Sequence, residues 1–252
     1  MVKRVIKQVM KRLGYDVVRH QPPPPFPVDL DQAAIDTVTA VRPYTMTSDE
    51  RIFALIQAVR YLAKAGVEGG IVECGVWRGG SMMAVAYTLH QLGIDDVDLL
   101  LFDTYEGMTR PTDVDVDYGG VPAALEFART QEGAQASAWC RASREDVERN
   151  LAATGYPLER IRLIKGMVEE TIPGQAPTKI SLLRLDTDWY ESTHHELLHL
   201  YPRLCSGGVL IIDDYGHWKG SRKATDEYFA NSGVAPILLN RIDYTGRIGV
   251  KR

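Results

Sequence analysis

The chain has 252 residues, 45% of them hydrophobic and 25% charged, with a formal net charge of −4. That length suits one large α/β domain and is short for two well-cored ones, and the composition is that of a globular rather than a disordered chain. The acidic balance argues against bulk affinity for nucleic acid, and no run of about 18 apolar residues is present to span a bilayer.

At the N-terminus Lys3, Arg4, Lys7, Lys11 and Arg12 interleave with Val2, Val5, Ile6, Val9 and Leu13 at helical spacing, which predicts a basic amphipathic helix. No uninterrupted apolar core or small-residue cleavage site follows, so it does not read as a secretory signal. Such a helix either docks on an anionic membrane surface or a partner subunit, or folds back on its own domain; the second reading is favoured, because surface helices commonly carry this pattern. Residues 22–25 are all proline and Pro27 follows, a composition that runs as a stiff extended spacer. Residues 1–27 are therefore expected to be an appendage and residues 28–252 the folded domain.

Ser48 is placed to cap a helix over 51–65, with Phe53, Leu55, Ile56, Val59 and Leu62 as its buried stripe and Gly66 as its stop. Ile71 and Val72 form a short apolar strand, followed by a glycine-rich turn, a helix over 81–92 and a strand over 97–102 that ends in Asp103. This is a βαβ unit. Residues 108–118 are acidic, contain Pro111 and show no period, which predicts a mobile loop able to act as a lid. Ser143 with Asp146 resembles a capping box opening a helix to about Ala153, and a strand over 161–164 follows. A strand over 180–185 delivers Asp186, a helix over 192–204 comes next, and Gly207 and Gly208 turn the chain into an apolar strand closing at Asp213. After a helix over 222–230, the segments 237–239 and 247–250 flank a turn at Tyr244, Thr245 and Gly246, the pattern of a terminal hairpin.

Three carboxylates stand where buried strands surface. Asp213 and Asp214 follow Val209, Leu210, Ile211 and Ile212, while Asp186 follows Leu185. Continuous Val/Ile/Leu runs belong to parallel sheets covered on both faces, and ligands bind such sheets beyond the carboxyl ends of the strands. Crowded negative charge is costly without a counter-charge, and oxygen donors lacking thiolate or imidazole suit Mg²⁺, Ca²⁺ or Mn²⁺. A divalent metal site is expected, against the plainer reading of strand-end caps and solvated acids.

The glycine turn carries Glu73, Gly75, Gly79 and Gly80, with Ser81 opening the helix behind it. Glycines let a backbone approach a ligand, and a helix N-terminus offers unsatisfied N–H groups. The spacing E-x-G-x-x-x-G departs from the dinucleotide fingerprint, and Glu73 would repel a pyrophosphate. It suits a ligand with an ammonium beside a sulfonium, which describes S-adenosylmethionine. Asp103 is placed to accept both ribose hydroxyls. Tight packing of the turn, and a turn-capping aspartate, are the plainer alternatives.

Residues 71–81 (IVECGVWRGGS), 102–108 (FDTYEGM), 185–192 (LDTDWYES) and 212–216 (IDDYG) together resemble the macrocin O-methyltransferase family, which methylates sugar hydroxyls of natural products. The likeness covers nearly all of the chain after the prolines. It implies a Rossmann-like class I methyltransferase: an α/β fold with a mostly parallel seven-stranded sheet, helices on both faces and a C-terminal antiparallel hairpin. It also implies S-adenosylmethionine and Mg²⁺, with the metal carboxylates on Asp186, Asp213 and Asp214 and the general base on Asp188. Gly166 and Met167 would lie against the adenine, and the segment Thr45 and Met46 would fold over the cofactor. The substrate expected is a glycoside or sugar whose neighbouring hydroxyls chelate the metal, with a catechol as the closest competitor. Trp189, Tyr215 and His217 are candidate walls for the acceptor, since aromatic rings with polar edges suit a sugar face; His217 is also a second candidate base, ranked below Asp188.

His195, Glu196, Leu197, Leu198 and His199 spell the zinc-protease pattern H-E-x-x-H. Pro202 stands where the longer zinc motif needs glycine, and the helix follows a strand that already ends in a candidate site, so coincidence is the expectation. A non-enzymatic module that senses S-adenosylmethionine is a further alternative, which Asp188 argues against because a sensor needs no base beside a metal. The scattered cysteines Cys74, Cys140 and Cys205 suggest free thiols in a reducing cytoplasm, and a homo-oligomer is expected.

Overall fold

The computed structural model describes residues 8–15, 26–231, 233 and 235–252. The chain divides into two units, one ending at Leu30 and the other running from Asp31 to Arg252. In the first, residues 8–12 are helical; the remainder of the expected basic helix and prolines 22–25 lie outside the described residues. No helix of the described residues is long and apolar enough to cross a membrane.

The second unit is a seven-stranded sheet. Its strands are β1 (Gly70–Cys74), β2 (Leu99–Asp103), β3 (Ile161–Lys165), β4 (Ile180–Leu185), β5 (Leu204–Ile212), β6 (Asn240–Arg241) and β7 (Arg247–Val250), in the order β3-β2-β1-β4-β5-β7-β6. The first five are parallel, and β7 runs antiparallel to both β5 and β6. The helices are α1 (Gln32–Val41), α2 (Asp49–Ala65), α3 (Gly80–Gln91), α4 (Ala123–Thr130), α5 (Arg144–Ala152), α6 (Val168–Thr171), α7 (Tyr190–Leu200) and α8 (Lys219–Asn231).

Strand alternation sorts the core into two layers. Val72, Leu100, Phe102, Leu183, Leu185, Leu210 and Ile212 join Leu197 and Leu200 of α7 and Tyr228 of α8 in one buried cluster. The intervening residues, among them Ile71, Leu101, Leu182 and Ile211, are also buried, as are Ile52, Leu55 and Ile56 of α2 and Met82 and Met83 of α3. Every residue of β4 is buried, as the apolar run predicts, including two that are not apolar: Ser181 and Arg184.

The chain winds outward from β1 to β2 and β3 in one direction and from β4 to β5 in the other. The reversal between β1 and β4 opens a crevice at the carboxyl ends of the strands, where a ligand is expected in such sheets. Three local expectations need correction. Leu204 belongs to β5 rather than to the preceding helix, which stops at Leu200 and passes through a single 3₁₀ turn. Gly207 and Gly208 lie within β5 instead of leading into it. The hairpin's first strand is Asn240–Arg241, beyond the predicted 237–239.

Candidate active site

The crevice holds a cavity of about 350 Å³ whose walls include Met46, Gly75, Gly80, Ser81, Asp103, Asp186, Asp188, Asp213, Asp214 and His217. A smaller adjoining cavity is lined by Asp103, Met108, Gly166 and Met167 among others. These residues converge from six separate segments.

The glycine turn is shaped by close approach. Gly75 has φ of 82°, and a Cβ there would lie 2.0 Å from the Asp186 carbonyl oxygen, so β1 and β4 meet at this point only because the side chain is missing. At Gly80 a Cβ would lie 2.5 Å from the Tyr44 carbonyl oxygen, which lets the segment carrying Thr45 and Met46 lie along the start of α3. Gly79 is the N-cap of that helix and does not face either cavity. Asp103 pins the turn from the neighbouring strand: its Oδ2 accepts the backbone N–H of Val76 at 2.6 Å and of Trp77 at 3.2 Å, and Oδ1 accepts that of Tyr105 at 2.7 Å. Asp103 thus caps the turn and also lines both cavities. Burial raises its pKa, opposed by those backbone donors.

Glu73 is placed differently from the expectation. It is 1% exposed and stands behind the cavity wall, facing Arg184, its register partner on β4. Arg184 was missed, although an arginine inside an otherwise apolar strand is a legible signal. Its Nη1 donates to Glu73 Oε1 at 2.8 Å and to Asp186 Oδ2 at 2.6 Å; its Nη2 donates to Asp213 Oδ1 at 2.5 Å and to the Thr47 hydroxyl at 3.2 Å. Arg51 of α2 pairs with the other Asp213 oxygen and, at 3.0 Å, with Asp243. Burial lifts Glu73 to about 7 despite Arg184 beside it.

The acids regroup accordingly. Asp186, Asp188 and Asp214 bring one carboxylate oxygen each to within 4.8 Å of one another. Asp213 instead has both oxygens engaged by arginines, so the expected trio of Asp186, Asp213 and Asp214 is not the one the side chains form. Asp188 reaches the cluster through a left-handed backbone, φ 70°. Burial first, then repulsion from neighbouring acids, pushes Asp186 and Asp214 well above the usual carboxylate range; burial lifts Asp188 to about 7, against a hydrogen bond with Asp214. Asp214 Oδ2 is buried with no hydrogen-bond partner among the described residues. Oxygen donors, excess negative charge and an orphaned buried oxygen fit a small hard cation.

The acceptor candidates separate. His217 lines the main cavity together with Trp139, Trp218 and Tyr244. Trp189 is 3% exposed and supports that wall from behind, its ring 5.0 Å from Trp218 and 5.6 Å from Trp139, its Nε1 donating to the Thr109 carbonyl at 3.1 Å. Tyr215 faces away from the cavity, flanked by Arg222 and Arg247, and donates to Asp226 at 2.7 Å. Trp139 comes from an irregular segment with no local sequence signal. The 108–118 loop is fastened through Asp115, fully buried, which accepts the Thr112 N–H and hydroxyl and the Tyr190 N–H that opens α7.

The H-E-x-x-H residues do not converge. His195 and His199 lie side by side with ring centroids 4.4 Å apart, and His195 Nε2 bonds the Ile172 carbonyl at 3.0 Å. Glu196 turns the other way into the core.

A profile of the family described as Macrocin-O-methyltransferase (TylF) matches residues 7–249. The chain belongs to this family. It is 30% identical over 203 residues to the demethyldecarbamoylnovobiocin O-methyltransferase of Streptomyces niveus, covering 81% of this chain and 74% of the relative. It is also 30% identical to the mycinamicin III 3''-O-methyltransferase of Micromonospora griseorubida, over 81% and 76%. The solved structure of the O-methyltransferase NovP superposes with a TM-score of 0.71 at 30% identity, over 82% of each chain. The calicheamicin methyltransferase CalS11 shares the fold, with a TM-score of 0.60 at 19% identity over 94% of this chain and 99% of that one. The chain is an O-methyltransferase with the S-adenosylmethionine-dependent fold.

Proposed function

We propose that the protein transfers the methyl group of S-adenosylmethionine to a hydroxyl of a sugar carried by a natural product, and that it needs Mg²⁺ to do so. The observation that carries this reading is the clustering of Asp186, Asp188 and Asp214 in the same cavity as the glycine turn. The named substrates of the relatives support a small glycosylated acceptor.

When bound, S-adenosylmethionine supplies an electrophilic methyl on sulfur, and a divalent cation supplies polarisation and orientation of the acceptor oxygen. Asp186 and Asp214 would hold the cation; Asp213 joins them only by exchanging one of its arginines for it. Asp188 is the base, taking the proton of the acceptor hydroxyl at its carboxylate oxygen, and burial raises its pKa, which favours that role. Asp103 retains accepting capacity on Oδ1 for a ribose hydroxyl, and Gly166 and Met167 wall the smaller cavity for the adenine. Glu73 braces the wall behind the glycine turn through its pair with Arg184. Trp139, Trp218 and His217 offer faces to a pyranose ring. Orientation of oxygen, methyl and sulfur in line contributes the larger share of the acceleration, up to roughly 7–11 kcal/mol.

Incubation with labelled S-adenosylmethionine and matched panels of glycosides and catechols, with Mg²⁺ and after chelation, tests the reading. Labelled glycosides that disappear on chelation are expected; labelling confined to catechols, or unaffected by chelation, overturns the substrate or the metal. In the same assay Asp188→Asn is expected to bind S-adenosylhomocysteine normally and to turn over about 10²–10⁴-fold more slowly. Near-normal turnover removes Asp188 as the base.

A further inference from the structure

Glu196, the acid of the H-E-x-x-H sequence, takes no part in the chemistry above and is fully buried. Its Oε2 has no partner among the described residues, while Oε1 accepts a hydrogen bond of 2.9 Å from the Thr187 hydroxyl. The buried Cys74 thiol is a neighbour of the same carboxyl. Burying an acid in a helix-to-sheet contact costs more than an apolar side chain would. What this acid touches is the root of both functional loops: Cys74 immediately precedes Gly75 of the glycine turn, and Thr187 stands between Asp186 and Asp188.

The second of those loops needs holding. Asp188 has φ of 70°, a left-handed conformation that a residue with a Cβ adopts only where its surroundings hold it. The turn is fixed on its backbone side, where the Thr187 carbonyl accepts the Trp189 N–H at 2.8 Å and the Ser192 hydroxyl at 3.3 Å. On its side-chain side the hydrogen bond to Glu196 is the fastening. Burial pushes the Glu196 carboxyl well above the usual carboxylate range.

We infer that Glu196 is a positioning residue of the active site: by gripping the Thr187 hydroxyl it holds the Asp186-Thr187-Asp188 turn so that the Asp188 carboxyl stays beside Asp186 and Asp214. The inference rests on the role proposed above for those three carboxylates. Glutamine keeps an acceptor for Thr187 and matches the carboxyl in shape; methionine fills the space without an acceptor. Thr187→Val removes the donor with little change of volume and serves where Glu196→Met does not fold.

The test combines crystal structures of Glu196→Met, Glu196→Gln and Thr187→Val with calorimetry and steady-state kinetics. Glu196→Met and Thr187→Val are expected to show the Asp188 carboxyl outside the cluster and to lose about 10–100-fold in kcat, part of the roughly 10²–10⁴-fold that a positioned base contributes, with Mg²⁺ affinity within about twofold of wild type. KM for S-adenosylmethionine is expected to stay within about twofold, and Glu196→Gln to restore wild-type behaviour, because an orienting group acts on the chemistry and not on the cofactor. Asp188 unmoved in both Glu196→Met and Thr187→Val, with only the melting temperature lowered, overturns the positioning role. A wild-type enzyme that takes up no Mg²⁺ and methylates no acceptor overturns the function proposed above instead, and the crystal structures still decide whether Glu196 holds Asp188.

Discussion

Arg184 sets the electrostatic character of the site. It is a single cation, 3% exposed at its side chain, with Glu73, Asp186 and Asp213 all within 2.8 Å. Burial alone would lower its pKa, but the three acids outweigh that and raise it well above the usual value, so it stays charged. Removing one partner from a buried ionic cluster leaves the others uncompensated, a loss of roughly 3–5 kcal/mol, whereas the intact cluster contributes little net stability. Arg184→Met should therefore cost about that much in a urea titration, and the loss should shrink when Glu73→Gln is added, because one of the three stranded acids is then removed. Simple additivity of the two substitutions contradicts this account.

At the scale of elements, the catalytic wall depends on helix α2 meeting the β6–β7 turn. Ser48 caps α2 by accepting the Arg51 N–H at 3.2 Å, and its hydroxyl also donates to Asp243 at 2.8 Å. Asp243 in turn receives the Thr245 and Gly246 N–H groups at 2.9 and 2.7 Å, so one carboxylate joins a helix start to a hairpin turn. Loss of an N-cap costs about 1 kcal/mol. Ser48→Ala should exceed that figure in chemical denaturation because it also breaks the Asp243 contact; a loss well below it shows the cap and the hairpin to be independent. The cap, the strands and the order of the motifs were legible in the sequence because each rests on local rules: hydroxyl before helix, apolar runs within strands, glycine where backbones touch. The partners of the acids were not. Glu73 and Asp213 read as ligand-facing carboxylates, and what turns them inward is a cross-strand neighbour and a helix residue 162 positions away in the chain. Trp139 escaped for the same reason: it reaches the cavity from an irregular segment, where periodicity says nothing.

Across the whole molecule, two populations of carboxylates pull stability in opposite directions as pH changes. Asp146 and Asp243 sit below the usual value, Asp146 chiefly through its hydrogen bond to Arg78, and Asp243 because backbone, Ser48 and Arg51 donors overcome the effect of its burial. A depressed folded pKa contributes stability above the unfolded value of about 4 that is lost as pH falls through the folded one. Glu73 and Glu196 are raised by burial, Glu73 to about 7. Between about pH 4 and 7 the folded protein keeps protons there that the unfolded chain has released, so stability falls as pH rises through that window. For Glu73 the shift from 4.5 to about 7 corresponds to on the order of 3 kcal/mol. In chelator, the urea midpoint of the wild type should thus peak on the acid side of neutrality and decline toward pH 8. Glu73→Gln, which cannot ionise, should flatten much of the decline, while Asp243→Asn should lower the midpoint at pH 7 and lose its effect at the acid extreme. A wild-type midpoint that rises steadily from pH 5 to pH 8 is incompatible with buried acids that retain their protons.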